Sequence, residues 1–195
     1  MKTTILPAVI IGLLSSFNLT LRAADTYNID PAHSTIGFAV SHMVINTVHG
    51  KFNEFTGNVS LDGTTVKDAT GTIQAKSIDT GIERRDNHLR SADFFDVAKF
   101  PTITFQSKRT EKQGNDTVVV GDFTMHGVTK ELSLPMTVKG PIKDPWGNTR
   151  VGLQARTKVN RRDFGLKYNQ ALETGALVVG DEIELEINAE AVKAK

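Results

Sequence analysis

The sequence predicts an all-β, antiparallel domain, and three observations carry that prediction. Apolar and polar residues alternate with period two along most of the chain, turn-forming residues punctuate the alternating stretches, and a single segment reads as helical. In chain order, Ile36, Phe38 and Val40 mark the first strand, Phe55, Val59 and Leu61 the second, and Ile73 and Ala75 the third. Residues 82–95 (IERRDNHLRSADFF) read as the helix, with an Asp86–Arg90 pair at i,i+4 supporting it. Ile103 and Phe105 mark the fourth strand; Val119, Phe123 and Met125 mark the fifth. Leu132, Leu134, Met136 and Val138 form the sixth, and Val151, Leu153, Ala155 and Val159 the seventh. The clearest case is the last, where Ile183, Leu185, Ile187, Ala189 and Ala191 alternate with Glu182, Glu184, Glu186, Asn188 and Glu190. Turn signals separate these runs at Leu61-Asp62-Gly63, Gln113-Gly114-Asn115-Asp116, His126-Gly127, Lys139-Gly140-Pro141 and Pro145-Trp146-Gly147-Asn148. One-sided strands of this kind belong to antiparallel sheets. They can close into a barrel, which removes edges and leaves room for side chains or a small ligand, or they can stack as a sandwich. The alternation fits either.

The first residues read as an address rather than as fold. Lys2 precedes an apolar run over residues 5–14, followed by a polar stretch ending in Leu21-Arg22-Ala23-Ala24. This is the tripartite pattern of a secretory signal peptide, with cleavage expected after Ala23. The run is half the roughly 20 apolar residues of a membrane span. Residues 1–23 are therefore a leader, residues 24–195 form one domain, and the product is expected to be periplasmic or secreted. A chain of 195 residues with 23 Lys+Arg against 22 Asp+Glu carries a formal charge of +1, which offers no basic surplus for nucleic acid. The absence of Cys rules out disulfides, thiolate metal sites, c-type haem attachment and a lipoprotein anchor.

Catalytic and metal signals are weak. His33, His42, His49, His88 and His126 form no close ligand pair, and neither a nucleophile elbow nor a phosphate-binding loop occurs. No metal and no cofactor is expected. His42 continues the phase of Ile36, Phe38 and Val40, so it should point inward near a strand end, toward a ligand's polar group or a backbone carbonyl. Asp181 and Glu182 look solvated at a strand entrance. In the helical segment, Arg85 and His88 are neighbours at i,i+3. Either the arginines hold turns while Phe94 and Phe95 plug the core, or the helix sets a cationic rim above an apolar cavity.

The same residues resemble the YceI-like family of exported bacterial proteins. Tyr27-Asn28-Ile29-Asp30 with His33-Ser34 resembles that family's opening, and the stretch from Arg85 to Phe95, with Phe100-Pro101 and Thr104-Phe105, its most recognisable segment. Gly121-Asp122-Phe123-Thr124-Met125-His126-Gly127-Val128-Thr129-Lys130 resembles its central hairpin. Asp144-Pro145-Trp146-Gly147, Arg150, Arg161 with Asp163-Phe164-Gly165, and Gly180-Asp181-Glu182 complete the match in order. The resemblance implies a lipocalin-like, eight-stranded antiparallel barrel with one short helix between strands. It also implies binding, carriage or storage of a long amphiphile: a polyisoprenoid, an isoprenoid quinone precursor, or a fatty acid or amide. A homodimer is compatible with it. By phase, the expected apolar lining is Ile36, Phe38, Val40, Phe105, Phe123, Met125, Leu134, Met136, Leu153 and Leu185. By phase and charge, the expected polar mouth is His42, Arg85, His88 and Arg161. Met125 and Met136 would let the pocket adapt to different shapes. The protein is read as a binder without a reaction. The alternatives are a lipid- or quinone-modifying enzyme using His42 or His88 as base, or a redox accessory that hands a quinone to a membrane b-type cytochrome.

Overall fold

The computed structural model describes residues 24–113, 116–170 and 177–195; the expected leader and the Gly114-Asn115 turn lie outside them. Ten strands and one helix follow in order. They are β1 (Asp25–His42), β2 (Asn46–Phe52), β3 (Phe55–Asp62), β4 (Thr65–Gln74), β5 (Ile78–Asp79), α1 (Glu83–Arg90), β6 (Thr102–Gln113), β7 (Asp116–Met125), β8 (Val128–Lys143), β9 (Thr149–Asn160) and β10 (Val179–Lys193). Eight of them close a ring in the order β10-β9-β8-β7-β6-β4-β3-β1, and β1 pairs back onto β10. The sandwich is thereby excluded: this is a barrel, and all its ring pairings are antiparallel.

The ring strands are the eight that alternation marks. The two extra strands arise because β1 is long enough to take two partners on one side. Its first residues pair with β3 (Tyr27 opposite Val59) and its last with β2 (Phe38 opposite Gly50), while β5 adds to β2. Alternation conceals β2 because Gly50 stands on the inward face. A Cβ there would lie 2.3 Å from the Phe38 ring, so any larger residue would have to displace that ring.

Three expectations are corrected. The helix ends at Arg90 rather than Phe95, and residues 91–95 continue as turns, with the Ser91 hydroxyl donating to the His88 carbonyl at 2.7 Å. Asp86 and Arg90 do not pair: Asp86 accepts from the Thr80 N–H and hydroxyl, and Arg90 donates to the carbonyls of Lys76 and Ile78. The Thr80 N–H and hydroxyl and the carbonyls of Lys76 and Ile78, all preceding the helix, claim both side chains first. Finally, Lys139-Gly140-Pro141 is not a turn. It is an irregularity inside β8, where register shifts between Lys139 and Ile142 and Gly140 takes φ 97°. By contrast, His126 (φ 52°) and Gly127 (φ 74°) form the two-residue β7–β8 turn that the dipeptide signals.

Inward side chains form two clusters. Leu61, Val66, Val119, Val151 and Ala191 are sealed from solvent at one end, and Phe52, Ile78, Ile103, Phe123, Phe164 and Leu166 pack near the other. The outward face of β10 meets basic residues of β9: Glu182 with Lys158 at 2.7 Å and Glu186 with Arg156 at 2.8 Å. These exposed pairs are screened by water and salt and contribute little to stability.

The sealed end is held from outside by Arg150. Its Nε donates to Asp144 and its Nη1 to Asp30, each at 2.8 Å, with Glu190 at 3.3 Å. Arg150 is the main reason that the Asp30 and Asp144 carboxyls are each lowered to about 2 from 3.8. A carboxylate depressed in the folded state stabilises the fold above its unfolded pKa and loses that contribution as pH falls through the folded value. The contribution is therefore full above about pH 4 and vanishes between about pH 4 and 2. Arg150→Met is expected to lower stability at neutral pH and to flatten its decline across that acid window. Urea unfolding curves at a series of pH values check this. An unchanged pH dependence would show that the two carboxylates are not held by Arg150.

Candidate ligand-binding site

Between the two clusters the barrel encloses a cavity of about 210 Å³. Its wall follows from strand phase, since residues that alternate inward on β1, β6, β7, β8, β9 and β10 meet around one axis. All ten residues expected to line it do so: Ile36, Phe38, Val40, Phe105, Phe123, Met125, Leu134, Met136, Leu153 and Leu185. Several of them, including Ile36, Phe38, Phe105 and Leu185, remain only half-buried although they face inward. They pack against the neighbouring core cluster on one side, and part of their apolar surface is left uncovered.

Part of the wall is bare backbone. Gly57 on β3 stands opposite Gly71 on β4, and Gly71 stands opposite Phe105 on β6. Both glycines lie in the inward phase, Gly57 between Phe55 and Val59 and Gly71 between Ala69 and Ile73. Sequence reasoning missed them although the phase marks them, because a glycine reads as a break in a strand rather than as space. It also missed Phe52, on the strand that alternation conceals.

Leu89, Phe94 and Phe95 enter the wall from α1 and the turns after it. The helix has no side-chain cap at its N-terminus, where Ile82 stands. Side-chain tethers hold it instead. Arg85 donates from Nε to the Thr80 hydroxyl at 2.7 Å and from Nη2 to the Thr80 carbonyl at 2.9 Å. Arg90 reaches back to the carbonyls of Lys76 and Ile78.

The four residues expected at a polar mouth are not brought together. Arg85 is engaged by Thr80 and lies outside the cavity wall. The same holds for His88, whose Nε2 is 2.9 Å from Asp93 and whose ring stands edge-on to Phe94 and Tyr168. His42 is half-buried at the end of β1, again outside the wall. Only Arg161 lines the cavity, at 3% exposure. Its Nε donates to the Gly180 carbonyl, its Nη1 to the carbonyls of Leu166 and Tyr168, and its Nη2 to the Val179 carbonyl and the Asp181 carboxylate. A guanidinium has five N–H donors, so none is left for a ligand. Burial lowers its pKa, with the Asp181 charge opposing that shift. Asp181, expected to be solvated, is shared between Arg161 and Arg162.

Two further histidines have structural partners: His126 Nδ1 lies 3.0 Å from the Phe164 carbonyl and His33 Nδ1 2.9 Å from Asp30. Asp30, His33 and Glu190 approach one another closely enough for a metal ion. The Arg150 guanidinium already supplies the positive charge there, bonded to both Asp30 and Glu190. Among the described residues, the cavity wall contains no His, Asp, Glu or Lys.

Comparison with known proteins agrees with this architecture. A UPF0312 protein of Pectobacterium atrosepticum is 33% identical over 197 residues, covering all of both chains. The crystal structure of the Campylobacter jejuni YCEI protein superposes with a TM-score of 0.69 at 30% identity, over 80% of this chain and 90% of that one. A polyisoprenoid binding domain from Saccharophagus degradans shares the fold at a TM-score of 0.66 and 19% identity, covering 89% of this chain and all of its own. The YceI-like domain is matched over residues 27–191, from the third residue of β1 to the last alternating residue of β10, so the chain belongs to the YceI-like family.

Proposed function

We propose that the protein binds, and carries or stores, a long-chain amphiphile whose tail lies in the barrel: a polyisoprenoid, an isoprenoid quinone precursor, or a fatty acid or amide. The observation that carries this reading is the uncovered apolar wall, a cavity bounded by inward Phe, Ile, Leu and Met side chains that the fold leaves incompletely packed. Burial is worth about 0.8 kcal/mol per CH₂, so ten methylenes supply roughly 8 kcal/mol before the cost of ordering the chain. At about 210 Å³ the space is smaller than the roughly 300–1,000 Å³ of drug-sized sites. It suits one narrow tail, with Met125 and Met136 able to turn aside as the tail enters. The Saccharophagus degradans domain of the same fold, described as polyisoprenoid binding, supports this ligand class.

The wall favours binding over reaction, because neither His42 nor His88 faces the cavity and the one charged lining group has no free donor. The leader pattern of residues 1–23 supports a periplasmic or secreted location. The test is native mass spectrometry, with analysis of the organic extract, on protein purified from its own source. One stoichiometric long-chain isoprenoid or acyl species is the expected result. A protein that emerges empty, and stays empty when offered such lipids, would overturn the reading.

A further inference from the structure

The β1–β2 hairpin ends in a turn that presents apolar side chains to water. Met43, Val44 and Ile45 join His42 to Asn46, with Val44 72% and Ile45 84% exposed. Met43 (φ 52°) and Val44 (φ 64°) both occupy the left-handed region. A β-branched residue is a genuine outlier there, and Gly or Asn is what such a turn ordinarily takes. Held strain of this kind points from an observed outlier toward a function for the side chain that causes it.

The turn is continuous with the cavity. Val40 and Val179 line the cavity, His42 pairs with Val179, and the Met43 N–H donates to the Val178 carbonyl at 2.8 Å. The chain around the turn carries no charge: residues 31–50 contain no Asp, Glu, Lys or Arg. The turn's backbone is also partly satisfied, since the Ile45 N–H donates to the His42 carbonyl.

We propose that this turn is a docking element that enters the headgroup layer of a lipid bilayer and sets the cavity mouth against the surface from which cargo is drawn. The proposal rests on the lipid-binding reading above. The patch exposes roughly 300 Å² of apolar surface, judged from the fractional exposures of its three side chains. A standard protein interface needs about 800 Å² from each partner, so a second copy of the chain would be poorly held by it. Shallow insertion needs only a few apolar residues with no charge among them, since a charge carried into lipid is what costs. A long isoprenoid or acyl chain is itself stored in bilayers, so its carrier must load at one.

Val44→Asn/Ile45→Asn tests the proposal without touching the wall, and Asn at position 44 suits the positive φ. Wild type and variant are compared by sedimentation with phosphatidylcholine/phosphatidylglycerol vesicles, by extraction of a polyprenol from those vesicles, and by affinity for farnesol dispersed in water. The variant is expected to lose at least about tenfold in vesicle binding and in extraction, the effect of removing two apolar contacts, while keeping wild-type farnesol affinity. Wild type that ignores vesicles, or a variant that binds and extracts equally well, would overturn the docking role and leave the cavity reading standing. A shift from dimer to monomer in the variant would overturn it too, marking the patch as a self-contact. Failure of wild type to bind farnesol or polyprenol by any route would bring down the cavity reading, and the docking role with it.

Discussion

Gly71→Leu is expected to weaken binding of an isoprenoid alcohol by about two orders of magnitude while leaving the barrel as stable as before, or more so. The argument starts from the backbone. Gly71 lies within β4, without a positive φ, and a Cβ placed on it meets nothing nearer than the Thr56 carbonyl oxygen at 4.0 Å. The position lies between inward Ala69 and Ile73 and opposite inward Phe105 and Gly57, so the new side chain enters the cavity rather than the solvent. Leucine brings four carbons into a space of about 210 Å³. Displacing four methylenes of ligand at about 0.8 kcal/mol each removes about 3 kcal/mol, close to 200-fold in affinity. Gly71→Ala, with one carbon, should cost only about fourfold on the same scale. Meanwhile a strand-interior glycine is replaced by a residue that loses less backbone entropy, which favours the fold. Thermal unfolding and titration with farnesol, run on both variants, check the graded effect. Wild-type affinity in a folded Gly71→Leu variant would show that the ligand does not reach this wall. The neighbouring glycine offers no such test: at Gly57 a Cβ would lie 2.6 Å from the Thr70 carbonyl oxygen, and the backbone would have to move.

The contrast between these glycines and the aliphatic wall shows what alternation can and cannot reveal. Phase along a strand is dictated by the pleat, so Phe105, Phe123, Met136 and Leu185 declare their direction without knowledge of their neighbours. That is why the eight ring strands and the apolar lining were legible. Gly50, Gly57 and Gly71 keep the same phase but carry no side chain to display it. Their purpose, room beneath Phe38 or room for a ligand, depends on what stands across the barrel. The polar mouth was illegible for a different reason. Charge and helical spacing marked Arg85 and His88, but partners decide whether a charge is free, and those partners were the Thr80 hydroxyl and carbonyl and the Asp93 carboxylate. Helix α1 was overextended because Phe94 and Phe95 continue its apolar pattern. Their rings are needed against the cavity, and turns rather than further helix deliver them.

Arg161 illustrates the same point with the larger energetic consequence. Arg161→Met is expected to destabilise the barrel by about 3–5 kcal/mol, because it strips a buried donor from three backbone carbonyls and a buried acceptor left unsatisfied costs about 1–3 kcal/mol. The guanidinium bridges the carbonyls of Leu166 and Tyr168 to Gly180 and the Asp181 carboxylate; methionine would remove that bridge and leave Asp181 with Arg162 alone among its described basic partners. For a domain of this size, each kcal/mol moves Tm by roughly 2–4 °C, so a fall of roughly 10 °C is expected. Arg161→Lys keeps the charge, yet three donors on a flexible stem cannot span the same acceptors, and it should recover only part of the loss. The decisive measurement pairs stability with selectivity, comparing a fatty acid and the fatty alcohol of equal length on wild type and Arg161→Lys. With every N–H of Arg161 already engaged, the two ligands should differ little, and the substitution should leave their ratio unchanged while stability drops. A strong preference of wild type for the acid, abolished in Arg161→Lys, would mean that the guanidinium gives up a carbonyl to take the head group. Selectivity would then come from charge inside the cavity. An unchanged ratio would instead leave selectivity to the length and shape of the tail.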